Sequence, residues 1–367
     1  MDDSIFSQYK EIRVYFFGNE NQKQKVYFEF LIPYLKNNFS SYYLERDWYG
    51  GPNYRIVIKY LIGYEKKLGD LKENFLEYCD KNFEDLNEEE IKLNLQKYNE
   101  KKNFLSQIER RESTDIRLSN HMRIYSDFIN ENYVKSRFNN EYHFKIYVES
   151  LFEIQKYINE NIHRFKNKTK DAQIRCLADQ LYSILNLSIY HEKYAVLVYI
   201  SHIEGVFSIA DSYNLKMKYK NIFSKFAENI NFTPDTTVNR CDNEFYMIFQ
   251  KIIFELRNTI DNLKIYEEGY FSIDDQFELL QSNIDNINSK FHKDLKDRDL
   301  MDLAYHSEHL IFKVLISLVY KYIHMIGINF NEKNIAIYLV CDYISKEYKT
   351  NWKDILNERV ISPEAKN

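Results

Sequence analysis

Apolar and polar residues at the start of the chain follow the two-residue period of β-strands. The segments IRVYFF at 12–17 and YYLERDW at 42–48 are rich in aromatic and β-branched residues, which favour strands. Between them, QKVYFEFLIPYLKNNF at 24–39 has a helical period that is interrupted near Pro33. The pattern therefore predicts two strands separated by a broken helix.

A turn follows the second of these strands. The sequence YGGPN at 49–53 contains two glycines, which adopt positive φ without steric cost, and a proline that punctuates the return of the chain. We therefore expect a β-hairpin that joins residues 43–48 to residues 54–60.

From about Asp70 onward, apolar residues recur every three or four positions, as in packed helices. The stretch 86–112 is rich in charged residues and predicts a helix that is solvated over much of its surface. A polar segment at 229–244 predicts the longest loop. The other predicted helices lie at 142–165, 171–190, 194–212, 245–263, 273–291, 300–326 and 331–348.

No internal repeat and no linker interrupts this order of segments. We therefore predict an α+β fold, organised as a single domain over residues 1–367. In this prediction a small N-terminal strand and hairpin region at 1–65 packs on a predominantly α-helical body at 66–360, and residues 361–367 form a tail.

The composition narrows the class of protein. The 367 residues are 44% hydrophobic and 29% charged, as in ordinary globular proteins, and no apolar run reaches the ~20 residues that span a bilayer. Basic and acidic residues are mixed and give a net charge of -5, which disfavours nucleic acid as a partner. The first residues lack the pattern of a secretory signal. We therefore expect a soluble, cytoplasmic protein that binds neither nucleic acid nor a membrane.

Cysteine and aromatic usage add two expectations. The four cysteines have no CxxC spacing, which argues against a zinc site and against a disulfide framework. The chain has 32 tyrosines and 26 phenylalanines beside only 8 glycines. A tyrosine presents a stiff apolar face with a polar tip, which suits the lining of a groove, and an aromatic-rich surface is consistent with a homodimer.

Familiar catalytic and cofactor motifs are weak in this sequence. HSEH at 306–309 places two histidines one helical turn apart, but it is not HExxH and has no identifiable third ligand, so a polar helix face explains it better. The sequence contains no GxGxxG, P-loop or GxSxG motif. Histidines within the apolar stretches 141–150 and 191–204 are typical of core residues. We therefore expect no metal and no cofactor.

The hairpin carries the most distinctive chemistry. Arg46 and Arg55 lie on its two strands, with aromatic residues around them. Two guanidiniums on neighbouring strands can recognise a carboxylate or a row of peptide carbonyls. The alternative is that they form ion pairs with acids such as Glu45 or Asp47.

Two segments carry a resemblance to a known family. ERDWYGGPNYRIVI at 45–58 resembles the glutamate-eliminating domain of lantibiotic dehydratases, in which an Arg-Tyr strand, a turn and a His-x-Arg-x-Arg strand follow one another. SLVYKYIHMIGINFNEKNIAIYL at 317–339 is similar to that family's helix, which starts with Ser-Leu-Leu-His-Met and ends with Leu-Gly-Leu. The two matches bracket nearly the whole chain, and their order strengthens the resemblance.

The sequence departs from the eliminating members at the residues that handle the glutamyl ester. Arg55 matches the first arginine of the second strand, but Val57 occupies the position of the second. RRESTDIRLSNHM at 110–122 replaces the Arg-Tyr-Gly-Gly motif, and Tyr320 occupies the histidine position unless a gap recruits His324 instead. A tyrosine, with an ordinary pKa near ~10, suits hydrogen bonding or acid catalysis better than proton abstraction. These departures favour the thiopeptide pyridine synthases, which resemble this domain standing alone.

The resemblance implies a cofactor-independent cyclase and lyase. Such an enzyme joins two dehydroalanines of a modified precursor peptide by a formal aza-Diels–Alder cyclisation and then eliminates water and the leader peptide. Its partners would be the precursor peptide with its leader and the other thiopeptide biosynthetic enzymes. We expect Tyr320 to donate a proton or a hydrogen bond and Arg55 to position the peptide, unless Tyr320 is simply a packed aromatic residue. The further substrate-binding candidates are Arg46, Trp48, Tyr49, Tyr54, Glu112, Tyr305, His309 and His324.

Two other functions remain open at this level. One is elimination of glutamate from glutamylated Ser or Thr, which makes dehydroamino acids. The other is a noncatalytic subunit that binds the precursor peptide and presents it to other enzymes.

Overall fold

The architecture comes from a computed structural model. It describes residues 5–83, 86–109, 119–131, 141–163, 169–234, 243–263, 289–297 and 307–358. After a short 3₁₀ turn at Ile5–Gln8, the strands are β1 (Tyr9–Tyr15), β2 (Tyr42–Asp47), β3 (Asn53–Lys59) and β4 (Ile124–Phe128). The helices are α1 (Glu20–Lys25), α2 (Ile32–Asn38), α3 (Tyr64–Asn82), α4 (Glu88–Glu109), α5 (Glu141–Asn161), α6 (Lys170–Leu185), α7 (Glu192–Ala195), α8 (Leu197–Ser212), α9 (Lys216–Ile230), α10 (Asn243–Leu263), α11 (Lys290–Asp297), α12 (Ser307–Met325), α13 (Phe330–Glu347) and α14 (Trp352–Asn357).

The chain forms two compact units. Unit 1 consists of Met1–Lys166 together with Lys321–Gly327, and unit 2 consists of Asn167–Tyr320 together with Ile328–Asn367. The chain therefore passes between the units more than once, and α12 contributes residues to both. The single-domain organisation that the sequence predicts stays a prediction.

Unit 1 contains an antiparallel sheet in the order β2-β3-β1-β4. The predicted hairpin is confirmed, because β2 pairs with β3 along its whole length. Its turn depends on Gly50 and Gly51, whose φ values are +78° and +121°. A Cβ at Gly50 would also lie 2.8 Å from the hydroxyl of Tyr15, so a larger residue there would meet both strain and a close contact.

The fourth strand was not predicted from the sequence. Residues 66–360 were expected to be mainly helical, but β4 pairs with β1, with Arg13 opposite Tyr125. Most of β4 is exposed to solvent. It therefore lacks the alternation of apolar and polar residues by which a half-buried strand is recognised.

The break that the sequence predicts near Pro33 is not present, and a π-helical turn precedes Pro33 within a continuous helical segment. Residues Val26–Leu31 connect α1 to α2 in this wider geometry, and Pro33 occupies the first turn of α2. A proline has no N–H and its ring crowds the carbonyl four residues earlier, so the backbone widens before it. The helical path continues, however, and the apolar side of this segment packs on the sheet.

The core of unit 1 lies between one face of the sheet and the helices α1 to α3. Alternate residues of the strands, such as Ile12, Leu44 and Ile56, are fully buried there. The edge of the sheet at β2 is covered by α5, since the backbone N–H of Leu44 donates to Gln155 Oε1 at 2.9 Å. The core side chains are Ile12, Val14, Phe16, Val26, Tyr27, Phe30, Leu31, Ile32, Leu35, Phe39, Tyr42, Leu44, Tyr54, Ile56, Ile58, Tyr64, Leu71, Phe75, Cys79 and Phe83.

Unit 2 is built from helices that the apolar periodicity largely predicts. The expected helices near 171–190, 194–212, 245–263, 300–326 and 331–348 correspond to α6, to α7 with α8, to α10, to α12 and to α13. The apolar periodicity does not separately predict α9, α11 and α14. Most of the helix predicted at 273–291 lies outside the described residues.

The helix α13 begins at a strong local signal. The Asn329 side chain accepts from the backbone N–H of Glu332, and the Glu332 side chain accepts from the backbone N–H of Asn329. This reciprocal capping box satisfies donors that the first turn of a helix otherwise leaves without partners.

One segment within the described part of the chain, Glu192–Ser212, is long and apolar enough by composition to cross a membrane. Of its apolar 18-residue window, 44% is buried inside the protein. Tyr199, Ile203 and Phe207 of α8 belong to the buried core, and α8 packs against α9 and α13. We therefore interpret α8 as a core helix of unit 2.

Candidate functional site

One face of the sheet in unit 1 carries charged side chains. In the strand register, Arg13 lies opposite Arg55, and Arg55 lies opposite Glu45. Side chains at alternate positions of a strand share a face, so Glu11 and Asp47 belong to the same surface. Three strands thus bring two arginines and three acids together on the face that is opposite the apolar core.

Arg55 is the centre of this surface and is only 5% exposed. Its Nε donates to Glu11 Oε2 at 2.6 Å, and its Nη1 donates to Glu45 Oε1 at 3.0 Å and to the Tyr43 hydroxyl at 2.9 Å. The alternative in which Arg55 pairs with an acid such as Glu45 is confirmed. Charge-assisted bonds of this kind hold the guanidinium in a fixed position and neutralise it.

Lys321 of α12 forms a further ion pair with Glu45. Its Nζ lies 2.6 Å from Glu45 Oε2, and Glu45 is only 2% exposed. Burial alone would raise the pKa of the Glu45 carboxyl, but Lys321 and Arg55 outweigh burial and lower that pKa to about 2. Glu45 is therefore ionised at neutral pH, between two cations.

Arg46 requires a correction. It lies opposite Tyr54 in the register, whereas Arg55 lies opposite Glu45, so the two arginines leave opposite faces of the sheet. Arg46 pairs with Glu20, and its Nε and Nη2 are buried without a hydrogen-bond partner among the residues that the structure describes. The expectation that Arg46 and Arg55 together recognise one ligand is therefore wrong.

The aromatic residues of the hairpin differ in exposure. Tyr54 is 2% exposed, and its hydroxyl donates to the backbone oxygen of Lys23 at 2.6 Å, so it belongs to the core and does not line a groove. Trp48 is also buried, at 8% exposure. Tyr49 is 40% exposed and packs edge-on against Trp48, with 6.4 Å between ring centroids. Of the three, Tyr49 offers the largest surface to a peptide.

Tyr320 lies in unit 2 and has an unsatisfied hydroxyl. Its oxygen is buried and makes no hydrogen bond to any described residue. The Nζ of Lys333 lies 5.1 Å from the centroid of its ring. Burial, with a smaller effect of Cys341, raises the pKa of Tyr320 well above its ordinary value. The phenol is therefore neutral and can only act as a hydrogen-bonding group or an acid.

His202 of α8 contacts the Tyr320 ring, with 4.9 Å between the ring centroids. Its Nε2 lies 2.8 Å from Oδ1 of Asn334, which is fully buried on α13. Burial, assisted by the charge of Lys333, lowers the pKa of His202 to about 3 despite the bond to Asn334. The imidazole is therefore neutral at physiological pH.

The structure describes the other four predicted site residues only in part or not at all. His324 is half-buried in the last turn of α12 and belongs to unit 1, unlike Tyr320. His309 belongs to α12, but the structure describes only its backbone and not its side chain. Glu112 and Tyr305 lie outside the described residues altogether. A binding role for these four residues stays a prediction.

Sequence reasoning missed Glu11, Lys321 and the pairing of His202 with Asn334. Glu11 could have been found from the hairpin register only if the position of β1 beside β3 were known. His202 was interpreted as a satisfied core residue, because a lone histidine on an apolar helix gives no sign of its partner. That partner is 132 residues away in the chain.

A half-buried histidine in unit 1, His121, predicts a change of stability with pH. The backbone N–H of Phe17 donates to His121 Nδ1 at 3.0 Å, and burial lowers the pKa of His121 to about 4. The unfolded chain binds a proton near pH ~6.5 while the folded chain does not, so this contribution is complete above pH ~6.5. The contribution of His121 to the free energy of unfolding should fall as the pH decreases from ~6.5 to 4 and should then level off. Urea unfolding of His121→Phe and of the parent protein at several pH values measures this term. Equal slopes in the two proteins over that interval would contradict it.

Comparisons with known proteins match this chain through its fold. No family model and no curated protein matches the sequence. The pyridine synthase TbtD from thiomuracin biosynthesis is similar in structure, with a TM-score of 0.61 and 10% identity over 93% of this chain and 99% of that chain. The crystal structure of TsrL is similar with a TM-score of 0.60 and 11% identity, over 96% and 99% of the two chains. The chain therefore shares the fold of these proteins, and the predicted α+β class is confirmed.

Proposed function

We propose that this protein is a thiopeptide pyridine synthase. The observation that supports the proposal most is the similarity of fold to TbtD, a pyridine synthase, over nearly the full length of both chains. The order of the hairpin and the helix at 317–339, on which the family resemblance rests, is independent of that superposition. The substrate would be a precursor peptide that still carries its leader and contains two dehydroalanines.

The proposed reaction needs little from acid–base groups. The two alkenes and the intervening amide, in its iminol form, combine in a formal aza-Diels–Alder reaction that forms a six-membered ring. Loss of water and of the leader peptide as an amide then gives the pyridine. The enzyme would hold distant alkenes together, which can contribute several kcal/mol by proximity, and would direct hydrogen bonds at the reacting amide.

Tyr320 is our candidate for a hydrogen-bond donor in this reaction. Its hydroxyl is buried, neutral and without an acceptor among the described residues, a property that it shares with the hydroxyls of Tyr98 and Tyr190. A buried donor left without a partner is costly to the fold, so a ligand that accepts from it is favoured. This supports hydrogen bonding to the substrate over packing alone.

Arg55 is our candidate for a positioning residue. Because Glu11, Glu45 and Tyr43 already engage its guanidinium, it would act by fixing the sheet. The same arrangement disfavours glutamate elimination, which needs a cationic pocket for the departing glutamate. Val57, on the same face as Arg55, supplies no second charge.

A turnover assay tests the proposed function. Purified protein is incubated with an azole-bearing precursor peptide that contains two dehydroalanines and a leader. We expect mass spectrometry to detect the released leader amide together with a macrocycle whose mass is lower by the leader amide and one water. Unchanged peptide would refute the cyclase. Conversion of a glutamylated peptide in a parallel reaction would replace it with the eliminating activity.

A further inference from the structure

Two uncharged polar side chains meet in unit 2. Tyr320 on α12 and His202 on α8 have rings in contact, with centroids 4.9 Å apart and planes inclined by 52°. The Tyr320 hydroxyl is buried and lacks an acceptor among the described residues. The chemical character of the pair therefore depends on which nitrogen of His202 carries a hydrogen.

The hydrogen bonds of Asn334 determine this tautomer. Its Nδ2 donates to the backbone oxygen of Phe330 at 2.8 Å, which fixes the orientation of the side-chain amide. The atom that faces His202 Nε2 is therefore Oδ1, an acceptor only, at 2.8 Å. Nε2 must carry the hydrogen, and the neutral ring then has a lone pair on Nδ1.

Nδ1 of His202 is available to a ligand. It has no hydrogen-bond partner within the described ranges, and it is not among the unpartnered atoms that are sealed from solvent. Among the described residues, Lys333 and Tyr320 are the titratable groups that face the ring from neighbouring helices. Burial, and to a smaller extent the positive charge of Lys333, opposes protonation of the ring, so Nδ1 remains an acceptor.

We propose that Tyr320 and His202 form a binding site for one secondary amide of the substrate, in which the Tyr320 hydroxyl donates to the amide oxygen and His202 Nδ1 accepts from the amide N–H. That this amide belongs to the precursor peptide rests on the proposed function. A peptide group has one donor and one acceptor, which matches the pair, whereas neither partner carries a charge that would select a carboxylate or a phosphate. Asn334 acts as a positioning residue through the His202 tautomer.

Binding can be tested without turnover. In protein labelled with ¹⁵N-histidine, we expect His202 to show the Nε2–H tautomer and no protonation between pH 5 and pH 8, a range chosen about the ordinary histidine pKa of ~6.5. Addition of N-methylacetamide should shift the Nδ1 resonance, and N,N-dimethylacetamide, which lacks the N–H, should not. An Nδ1–H tautomer, or equal responses to the two amides, would overturn the proposal.

Kinetics provide the second test. His202→Leu removes the acceptor and should lower kcat/KM for the precursor peptide about tenfold, while His202→Gln, whose amide oxygen can accept, should recover part of the loss. Asn334→Asp places a carboxylate beside Nε2–H, which raises the pKa of His202. We therefore expect activity of Asn334→Asp to be lost at a higher pH than that of the parent protein. Unchanged kcat/KM in His202→Leu would refute the role in turnover.

The two tests separate this inference from the proposed function. Selective shifts by N-methylacetamide without cyclisation of any precursor would support the amide site and count against pyridine synthesis. Cyclisation that is insensitive to His202→Leu, with no selective shift, would support pyridine synthesis and refute the amide site.

Discussion

Tyr320→Phe is expected to lower the rate of cyclisation about a hundredfold and to leave the free energy of unfolding unchanged or slightly higher. The rate should fall because one preorganised donor to the reacting amide is lost, and removal of such donors in other enzymes costs about 10²–10³-fold. Stability should not fall, because the buried hydroxyl has no acceptor among the described residues and its removal ends a desolvation penalty. Single-turnover kinetics and urea unfolding measure the two quantities.

Tyr199→Phe is the matched control for Tyr320→Phe. Tyr199 is a tyrosine of unit 2 whose hydroxyl, like that of Tyr320, lies inside the protein, but it donates to the backbone oxygen of Leu181 at 3.0 Å. Loss of that bond should lower the free energy of unfolding by about 0.5–1.5 kcal/mol, because the Leu181 carbonyl keeps its place in the hydrogen-bond ladder of α6. An equal loss of stability in both variants would mean that the Tyr320 hydroxyl has a structural role.

Glu45→Ala is expected to lower the free energy of unfolding by about 3–5 kcal/mol, the range for a buried ion pair that loses one partner. Glu45 is 2% exposed and bonds to Arg55 and to Lys321, so its removal leaves an excess of positive charge in a buried place. The effect should disappear as the pH falls from ~4.5 toward 2. In that interval the unfolded carboxyl binds a proton before the folded one, whose pKa is about 2. Urea unfolding at neutral and acidic pH measures both parts.

Two variants sharpen this test. Glu88→Gln removes an exposed i,i+4 pair with Lys92 on α4 and should have no measurable effect. The double variant Glu45→Gln with Arg55→Met should lose less stability than the sum of the two single variants, because it removes charge of both signs together. Additive losses, or a loss in Glu45→Ala no larger than that in Glu88→Gln, would contradict the view that this network is tightly coupled.

The hairpin was predictable because its signals are local. Gly50 and Gly51 can adopt the positive φ of the turn, and the flanking segments have the composition of strands. The register was predictable in principle as well. Once the turn places Arg46 opposite Tyr54, Arg55 must lie opposite Glu45 and leave the other face. The hypothesis that the two arginines form one site did not take into account that they leave opposite faces of the sheet.

Other features depend on contacts between distant parts of the chain. β4 is mostly exposed, and it is identified as a strand by its pairing with β1, more than a hundred residues earlier. Lys321 reaches Glu45 across 276 residues, and no local pattern couples them. The same holds for His202 and Asn334, so the acceptor at Nδ1 is apparent only in three dimensions.

The role of Tyr320 could be predicted from the sequence only in part. Its position in the helix at 317–339 was predicted from the family resemblance, and its helix is confirmed. Tyrosine-rich helices nevertheless contain many packed aromatic residues, and only the environment of the hydroxyl distinguishes one of them. In unit 2 Tyr199 is fully buried and Tyr320 is half-buried with a buried hydroxyl, and the first hydroxyl has an acceptor while the second has none among the described residues.

Because α5 covers the β2 edge of the sheet, it limits how two copies of this protein can associate. An uncovered outer strand offers its free N–H and C=O groups to a strand of another molecule, and proteins often join in this way. Here the N–H of Leu44 is occupied by Gln155, and the Tyr42 hydroxyl bonds to Asn159 on the same helix. Two copies of this protein therefore cannot continue one sheet through β2 unless α5 moves away. A homodimer that keeps α5 in place must use another surface.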